Sequence, residues 1–253
     1  MTTPDTTFAR TPQVRETFVF PDPPEDPEDK MTSFNRLSIT GTAHSLAVHL
    51  GNRETTLVAG EHYLAVAPIR SLAGVRYPDL LVAFGVDPEA YYRSNAYVIS
   101  EQGKPPDLVL EIVSPSSGRT DRVDKRVDYA GLGIGEYWRF DEKGRSPGER
   151  LAGDRLVDGE YVPVEVEELP DGVLQGYSTV LNLYLHWEEG ALVFYDPVTD
   201  RPIASLESVR VEAEAERDGR IAAEARAEAE QQAREAAEAR VRELEERLRG
   251  QGA

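Results

Sequence analysis

Asp107-Leu-Val-Leu-Glu111-Ile-Val-Ser-Pro115 is an apolar, β-type run with one carboxylate in its middle. Val109, Leu110, Ile112 and Val113 surround Glu111, and a strand that is apolar on both faces belongs inside a sheet covered on both sides. Glu111 is therefore expected to be buried. An unpaired carboxylate in such a place is neutralised or costs several kcal/mol, so it requires a cation or hydrogen bonds. A metal ion is one such partner.

Upstream of this run, Arg76-Tyr-Pro-Asp79-Leu-Leu-Val-Ala-Phe84 reads as a strand closed by Gly85, with a second carboxylate, Asp79, at its entrance. Thr55–Ala59 and His62–Ala67 are two shorter β-rich runs separated by Gly60-Glu61, the pattern of a hairpin. Ala43–Leu50 predicts a short helix capped by Thr40 or Thr42 and stopped by Gly51. Its His44 and His49 do not have the spacing of three or four that shares a helix face, so they read as ordinary polar histidines rather than metal ligands. Asp87–Asn95 reads as a loop.

Downstream, Ser114–Gly118 is a turn whose Ser114, Ser116 and Ser117 could contact phosphate or cap the turn, and capping is the simpler reading. Thr120 is the N-cap of a helix through Gly131 whose apolar stripe is Val123, Val127 and Ala130. Glu136–Asp141 is the next strand. Leu156–Val164 alternates around Asp158-Gly159, a strong hairpin turn signal. Leu181–Trp187 and Ala191–Tyr195 are β-type or short helical pieces.

The two ends differ in composition from this middle. Residues 1–30 end in Pro21-Asp-Pro-Pro-Glu-Asp-Pro-Glu-Asp29 and read as a disordered acidic, proline-rich tail. Residues 204–253 are rich in Ala, Glu and Arg and read as a long exposed helix, with Gly219 weakening it by about 1 kcal/mol and marking a candidate joint. Val241, Leu244 and Leu248 have a/d spacing, with Ala237 one step earlier, but the register then meets Arg234 and Glu230. A solvated single helix and a coiled-coil dimer both fit that pattern.

Composition narrows the function. With 28 Lys+Arg against 46 Asp+Glu and a net charge of −18, the chain is not a simple nucleic-acid-coating protein, which needs clustered cations. The absence of cysteine excludes disulfides, thiolate metal sites and a cysteine nucleophile. The N-terminus lacks a signal-peptide pattern and no run approaches the roughly 18 apolar residues of a membrane helix, so a soluble, cytoplasmic protein with no membrane partner is expected. No Gly-rich phosphate loop with lysine and no Ser/His/Asp arrangement supports a kinase or a serine hydrolase.

Asp79 and Glu111 on neighbouring strands suit Mg²⁺. Hydrolysis of a phosphodiester needs a nucleophilic water, charge neutralisation on the phosphoryl oxygens and help for the leaving group, and a hard cation on carboxylates supplies several of these together. On the residues alone, two structural carboxylates are the simpler reading. Arg119, Arg122, Lys125 and Arg126 form a basic cluster against Asp121 and Asp124, which is either a local patch for a nucleic-acid backbone or a solvated helix face. Lys125 lies about 160° to 200° round the helix from Val123 and Val127, so it reaches a site beneath that stripe only from the flank; Tyr129, one turn on, shares its side and is placed to pack over the site or hydrogen-bond into it. A surface lysine paired with Asp121 or Asp124 is the bland alternative. Asp107 shares a strand face with Glu111 but lies about 13 Å from it, and reads as a strand-start residue.

Taken in order, Pro78-Asp79, then Pro106-Asp-Leu-Val-Leu-Glu111-Ile-Val-Ser-Pro-Ser116, then Asp121–Lys125 with Tyr129-Ala130, then Gly133-Ile-Gly-Glu-Tyr-Trp138-Arg-Phe-Asp141 resemble the Uma-two family of restriction-endonuclease-like proteins. That family is a domain of formerly unknown function within the PD-(D/E)XK nuclease superfamily. The resemblance spans a domain over residues 31–200. It implies an α/β (mixed α+β) fold with a restriction-endonuclease-like core, a mixed β-sheet flanked by helices in αβββαβ order, followed by the long C-terminal helix or coiled coil. It also implies that Asp79 and Glu111 bind a divalent metal, Mg²⁺ or Mn²⁺, and that both are catalytic together with Lys125. Lys125 is then a migrated lysine, because Val113 stands where the superfamily pattern has one. Arg119, Arg122, Arg126 and Tyr129 become the candidate substrate contacts. The expected function is metal-dependent endonucleolytic cleavage of DNA, with RNA also open, and a homodimer or a partner helix through the C-terminal segment. The alternative is a non-catalytic nuclease-fold module for protein interaction.

Overall fold

A computed structural model of the chain describes residues 18–21, 42–68, 72–113, 119–142, 150–204 and 206–251. These fall into two compact units, Met1–Ile203 and Ala204–Ala253.

The first unit is built on a six-stranded sheet. Helix α1 (Thr42–Leu50) leads into β1 (Thr56–Ala59), and the short β2 (Tyr63–Ala65) precedes β3 (Leu80–Phe84). Helix α2 (Pro88–Ser94), β4 (Ala96–Val98) and the single turn α3 (Ile99–Gln102) then lead to β5 (Leu108–Ile112). Helix α4 (Arg119–Leu132) connects β5 to β6 (Glu136–Phe140), and β7 (Leu151–Val157) and β8 (Glu160–Pro163) complete the sheet. The order across it is β1-β3-β5-β6-β7-β8. β3 is antiparallel to both β1 and β5, whereas β5 and β6 are parallel. Parallel neighbours need a crossover, and α4 supplies it. With β2 and β4 set aside as a small parallel pair, the remaining order is α1-β1-β3-β5-α4-β6, the expected αβββαβ core.

β5 is central, and its unbroken apolar sequence follows from the cover on both its faces. Leu80, Val82, Leu108, Leu110, Trp138 and Phe140 point to one side, where they meet Leu46 of α1 and the second sheet. Leu81, Ala83, Val109 and Tyr137 point to the other, where they meet Tyr129 of α4 together with Ile134, Tyr91 and Tyr97.

The second sheet is antiparallel throughout. It comprises β9 (Val166–Glu168), β10 (Leu174–Ser178), β11 (Leu183–Glu188), β12 (Ala191–Asp196) and β13 (Arg201–Pro202), in the order β13-β12-β11-β10-β9. Trp138 fills the seam between the sheets. A Cβ on Gly153 or Gly176 would stand 2.8 or 2.9 Å from its indole ring, so both positions are glycine for lack of space. The β7–β8 hairpin turns at Asp158 and Gly159, both at positive φ (51° and 85°) as a type I′ turn requires.

Four expectations need correction. Thr55–Ala59 and His62–Ala67 do not form a hairpin: β1 pairs with β3, and β2 pairs with β4. Asp87–Asn95 is not a loop. Asp87 accepts a hydrogen bond from the Glu89 N–H at 2.9 Å, Pro88 opens helix α2, and Asn95 closes it in the left-handed conformation. Phe18–Pro21 lies within the tail expected to be disordered, yet Phe20 is buried against Tyr63 and its N–H donates to the Ser94 carbonyl. Of the expected apolar stripe of α4, Ala130 packs against the core but Val123 and Val127 face solvent, as described below. The rest of the tail and the serines after β5 lie outside the described residues.

The second unit is one helix, α5 (Leu206–Gln251), which runs through Gly219 without interruption. Its described side chains are exposed. Arg210 and Glu214 pair along it at 3.1 Å, four residues apart as helix geometry demands. The side chains of Val241, Leu244 and Leu248 lie outside the described residues. No described helix is long and apolar enough to cross a membrane.

Candidate active site

The pairing of β3 with β5 sets Leu80 opposite Leu110. Continuing that register by one residue brings Asp79 opposite Glu111, and strand alternation turns both toward α4, away from the second sheet. The Asp79 Oδ2 accepts the Ile112 N–H at 2.6 Å, which ties the entrance of β3 to β5. Glu111 is buried, 6% exposed. Its Oε1 accepts the Tyr129 hydroxyl at 2.5 Å and its Oε2 accepts the Lys125 ammonium at 2.9 Å.

Lys125 and Tyr129, four residues apart, share the face of α4 that lies on the sheet. Val123 and Val127 are 55% and 65% exposed, so the helix buries its ionic side rather than its apolar one. The cause lies in the strands beneath it. Glu111 on β5 and Asp154 on β7 are both buried and need cations. Lys125 serves the first. Arg126 and Arg139 serve the second, at 3.1 and 2.6 Å. Lys125 therefore meets Glu111 directly, and the expected approach from the flank is replaced.

This arrangement revises the proposed substrate contacts. Arg126 also donates to the Tyr161 carbonyl, so it braces α4 on β7 and β8. Tyr129 is fully buried and touches the Glu111 carboxylate, so its role is to hold that carboxylate. Arg119 and Arg122 belong to α4, but their side chains lie outside the described residues. Asp107 takes the Lys104 ammonium at 2.7 Å and the Phe84 N–H at 2.8 Å, a clamp between β3 and β5 that fits a strand-start role. His44 and His49 are exposed. Among the described residues, no group of three or more His, Cys, Asp or Glu is gathered as a metal cluster.

Burial and the charge of Glu111 push the Asp79 carboxyl up to about 7, against the Ile112 hydrogen bond and the Lys125 charge, which pull it down. Burial and then Glu111 push the Tyr129 hydroxyl up, keeping it a proton donor. Glu61 also faces this region: its N–H donates to the Pro78 carbonyl at 3.1 Å, and its charge acts on both Asp79 and Tyr77. Neither Glu61 nor the Arg76–Asp128 ion pair, which ties the segment before Asp79 to α4, is legible in the sequence. Each depends on a contact between distant segments, and no spacing signals it.

Tyr129→Phe removes one of the two donors to Glu111. An expected loss of about 1–3 kcal/mol follows from leaving a buried acceptor unpaired, measured by urea unfolding in metal-free buffer; a loss below 0.5 kcal/mol, roughly the bottom of the range for one hydrogen bond, contradicts it.

The Uma2 family model, described as "Putative restriction endonuclease", matches residues 42–185, more than half of the chain. The chain belongs to the Uma2 family. The Uma2 match runs from α1 into β11 and includes Asp79, Glu111, Lys125 and Tyr129, so the whole αβββαβ core lies within it. Uma2 membership supports a nuclease. No curated protein matches the chain. A crystal structure of a "putative nuclease belonging to DUF820" from Anabaena variabilis ATCC 29413 is similar over 55% of this chain and 71% of that one, at 14% identity and a TM-score of 0.34.

Proposed function

We propose that this protein is a divalent-metal-dependent endonuclease that hydrolyses DNA phosphodiester bonds at Asp79, Glu111 and Lys125. The observation that supports this most is the apposition of two acids on adjacent strands with one ammonium between them and the helix. Together these groups lack positive charge: with both acids ionised, one lysine offsets one of two negative charges, and burial followed by the Glu111 charge pushes the Asp79 carboxyl up. Hard carboxylate oxygens on two strands suit Mg²⁺ or Mn²⁺, whose remaining positions are commonly filled by water and substrate phosphate. Asp79 and Glu111 would hold the cation. When bound, it supplies Lewis acidity at the phosphoryl oxygens and a more acidic water.

The chain's own residues perform the positioning. Tyr129 fixes Glu111 Oε1, and the Ile112 N–H fixes Asp79 Oδ2, so neither carboxylate is free to rotate toward solvent. Lys125, held at Glu111 Oε2, presents a positive charge beside the carboxylates, where it orients the attacking water and offsets charge on the phosphate. Helix α5, with its described side chains exposed, is the proposed element for self-association or for a partner helix; a dimer would place two sites on two strands.

Lys125→Met tests this assignment, because it removes the charge and keeps the stem. Cleavage should fall by about 10²-fold or more. Mn²⁺ binding, followed by calorimetry, should persist because both carboxylates remain. Unchanged cleavage by a variant that circular dichroism shows to be folded would exclude Lys125 from the chemistry. The second reading, a non-catalytic interaction module, predicts no cleavage and no metal binding in the unaltered protein.

A further inference from the structure

Next to the carboxylates lies a set of aromatic rings that the nuclease reading leaves unused. Tyr77 stands two residues before Asp79, held extended by the Pro78 that follows it. It is 38% exposed, and its ring packs edge-on against Tyr63 at 5.5 Å. Tyr91, which is buried, lies 5.3 Å from His62 and 5.3 Å from Tyr92. Tyr92 is 67% exposed. Two aromatic groups, Tyr63–Tyr77 and His62–Tyr91–Tyr92, thus each present a ring to solvent, and Tyr77 stands two residues before Asp79.

The described cations around the site are already matched with carboxylates. Arg76 pairs with Asp128, Arg93 with Asp87, Lys104 with Asp107, Lys125 with Glu111, and Arg126 and Arg139 with Asp154. A duplex is gripped chiefly through its phosphates by Lys and Arg not otherwise engaged. Among the described side chains these neutralised pairs, on a chain of net charge −18, offer little of that charge, while those of Arg119 and Arg122 lie outside them. A single strand adds to its backbone contacts the stacking of exposed bases on aromatic side chains, at about 1–3 kcal/mol per base and with little regard to sequence.

We infer that the substrate strand reaches Asp79 and Glu111 unpaired, with its bases stacked on an aromatic track whose exposed rings are Tyr77 and Tyr92. This rests on the nuclease reading and specifies its substrate as single-stranded nucleic acid. The full-length protein, with Ca²⁺ replacing Mg²⁺ to hold off cleavage, is titrated by fluorescence anisotropy against labelled oligo(dT), oligo(U), an abasic strand of equal length and a blunt duplex. Both base-bearing single strands should bind at least about tenfold tighter than the duplex or the abasic strand. Tyr77→Ala and Tyr92→Ala should each weaken binding by about tenfold, and Tyr77→Phe and Tyr92→Phe should restore it, because the ring is what stacks. Equal binding of the abasic strand, a duplex bound as tightly as a single strand, alanine variants without effect, or no binding of any strand overturns the inference. Cleavage in Mg²⁺ separates the two levels. A protein that cuts duplex DNA regardless of Tyr77 retains the nuclease reading and loses this one, whereas a protein that cuts nothing loses both.

Discussion

Asp79→Asn should abolish cleavage and at the same time stabilise the metal-free protein above pH 7. The two effects share a cause. In the native state burial and Glu111 raise the Asp79 carboxyl to about 7 from 3.8. Between those values the native state holds a proton that the unfolded chain has released, so stability declines as pH rises from about 4 to 7 and stays at the lower level beyond. A shift of that size corresponds to about 4 kcal/mol as an upper limit. Asp79 is only half-buried, so solvent screening reduces the figure. Asn cannot ionise, and its carbonyl still accepts the Ile112 N–H. The variant should therefore match the wild type below pH 4 and exceed its Tm at pH 8, and Mg²⁺ should raise the Tm of the wild type but not of the variant. Cleavage should fall by about 10³-fold or more, because a cation held by one carboxylate loses several kcal/mol of transition-state stabilisation. Thermal melts across pH with and without Mg²⁺, beside a cleavage assay, check both parts. A variant less stable than the wild type at pH 8 contradicts the electrostatic account.

Glu136→Gln should cost about 3–5 kcal/mol of stability, the usual cost of breaking a buried charge network. Glu136 is fully buried at the start of β6. Its Oε2 accepts from Trp138 Nε1 at 2.9 Å and from Ser178 Oγ at 2.6 Å. Its Oε1 accepts from the Thr179 N–H at 2.9 Å and Thr179 Oγ1 at 2.8 Å, with Arg155 at 3.4 Å. One carboxylate thereby joins the central sheet to the end of β10 and orients the indole that fills the seam between the sheets. An amide turns two donors of its own toward groups that are already donors. Arg155→Ala, in contrast, removes a partner whose side chain is 40% exposed, and should cost no more than about 1 kcal/mol. Urea unfolding of both variants measures the difference; losses of equal size would show that Arg155, rather than the ring of neutral donors, holds Glu136.

Much of the core was legible because local chemistry and tertiary context agree there. The apolar run around Glu111 announces a doubly covered strand, and β5 is the strand between β3 and β6. Asp158-Gly159 marks the β7–β8 turn, since few other pairs accept positive φ twice. Helix α4 was foreseen, but not the face it buries. Hydrophobic periodicity counts apolar residues, and here the inward side is Lys125, Arg126 and Tyr129, selected by the Glu111 and Asp154 carboxylates of strands far away in the chain. The β1–β2 hairpin failed for a related reason: Gly60-Glu61 is a turn signal, but β3 takes the edge that the hairpin would have used. In the site, Asp79, Glu111 and Lys125 meet as anticipated. Tyr129 hydrogen-bonds into the site at Glu111 and Arg126 pairs with Asp154, contacts made with carboxylates of strands far away in the chain.

Purified protein incubated with plasmid, linear DNA and RNA in Mg²⁺ or Mn²⁺, beside chelator controls and a Glu111→Ala protein purified in the same way, tests whether Asp79, Glu111 and Lys125 form a metal-dependent hydrolytic site. Cleavage that requires the metal and disappears in the Glu111→Ala protein is the predicted result. Identical behaviour of the two proteins, whether both cut or neither does on any substrate, contradicts it.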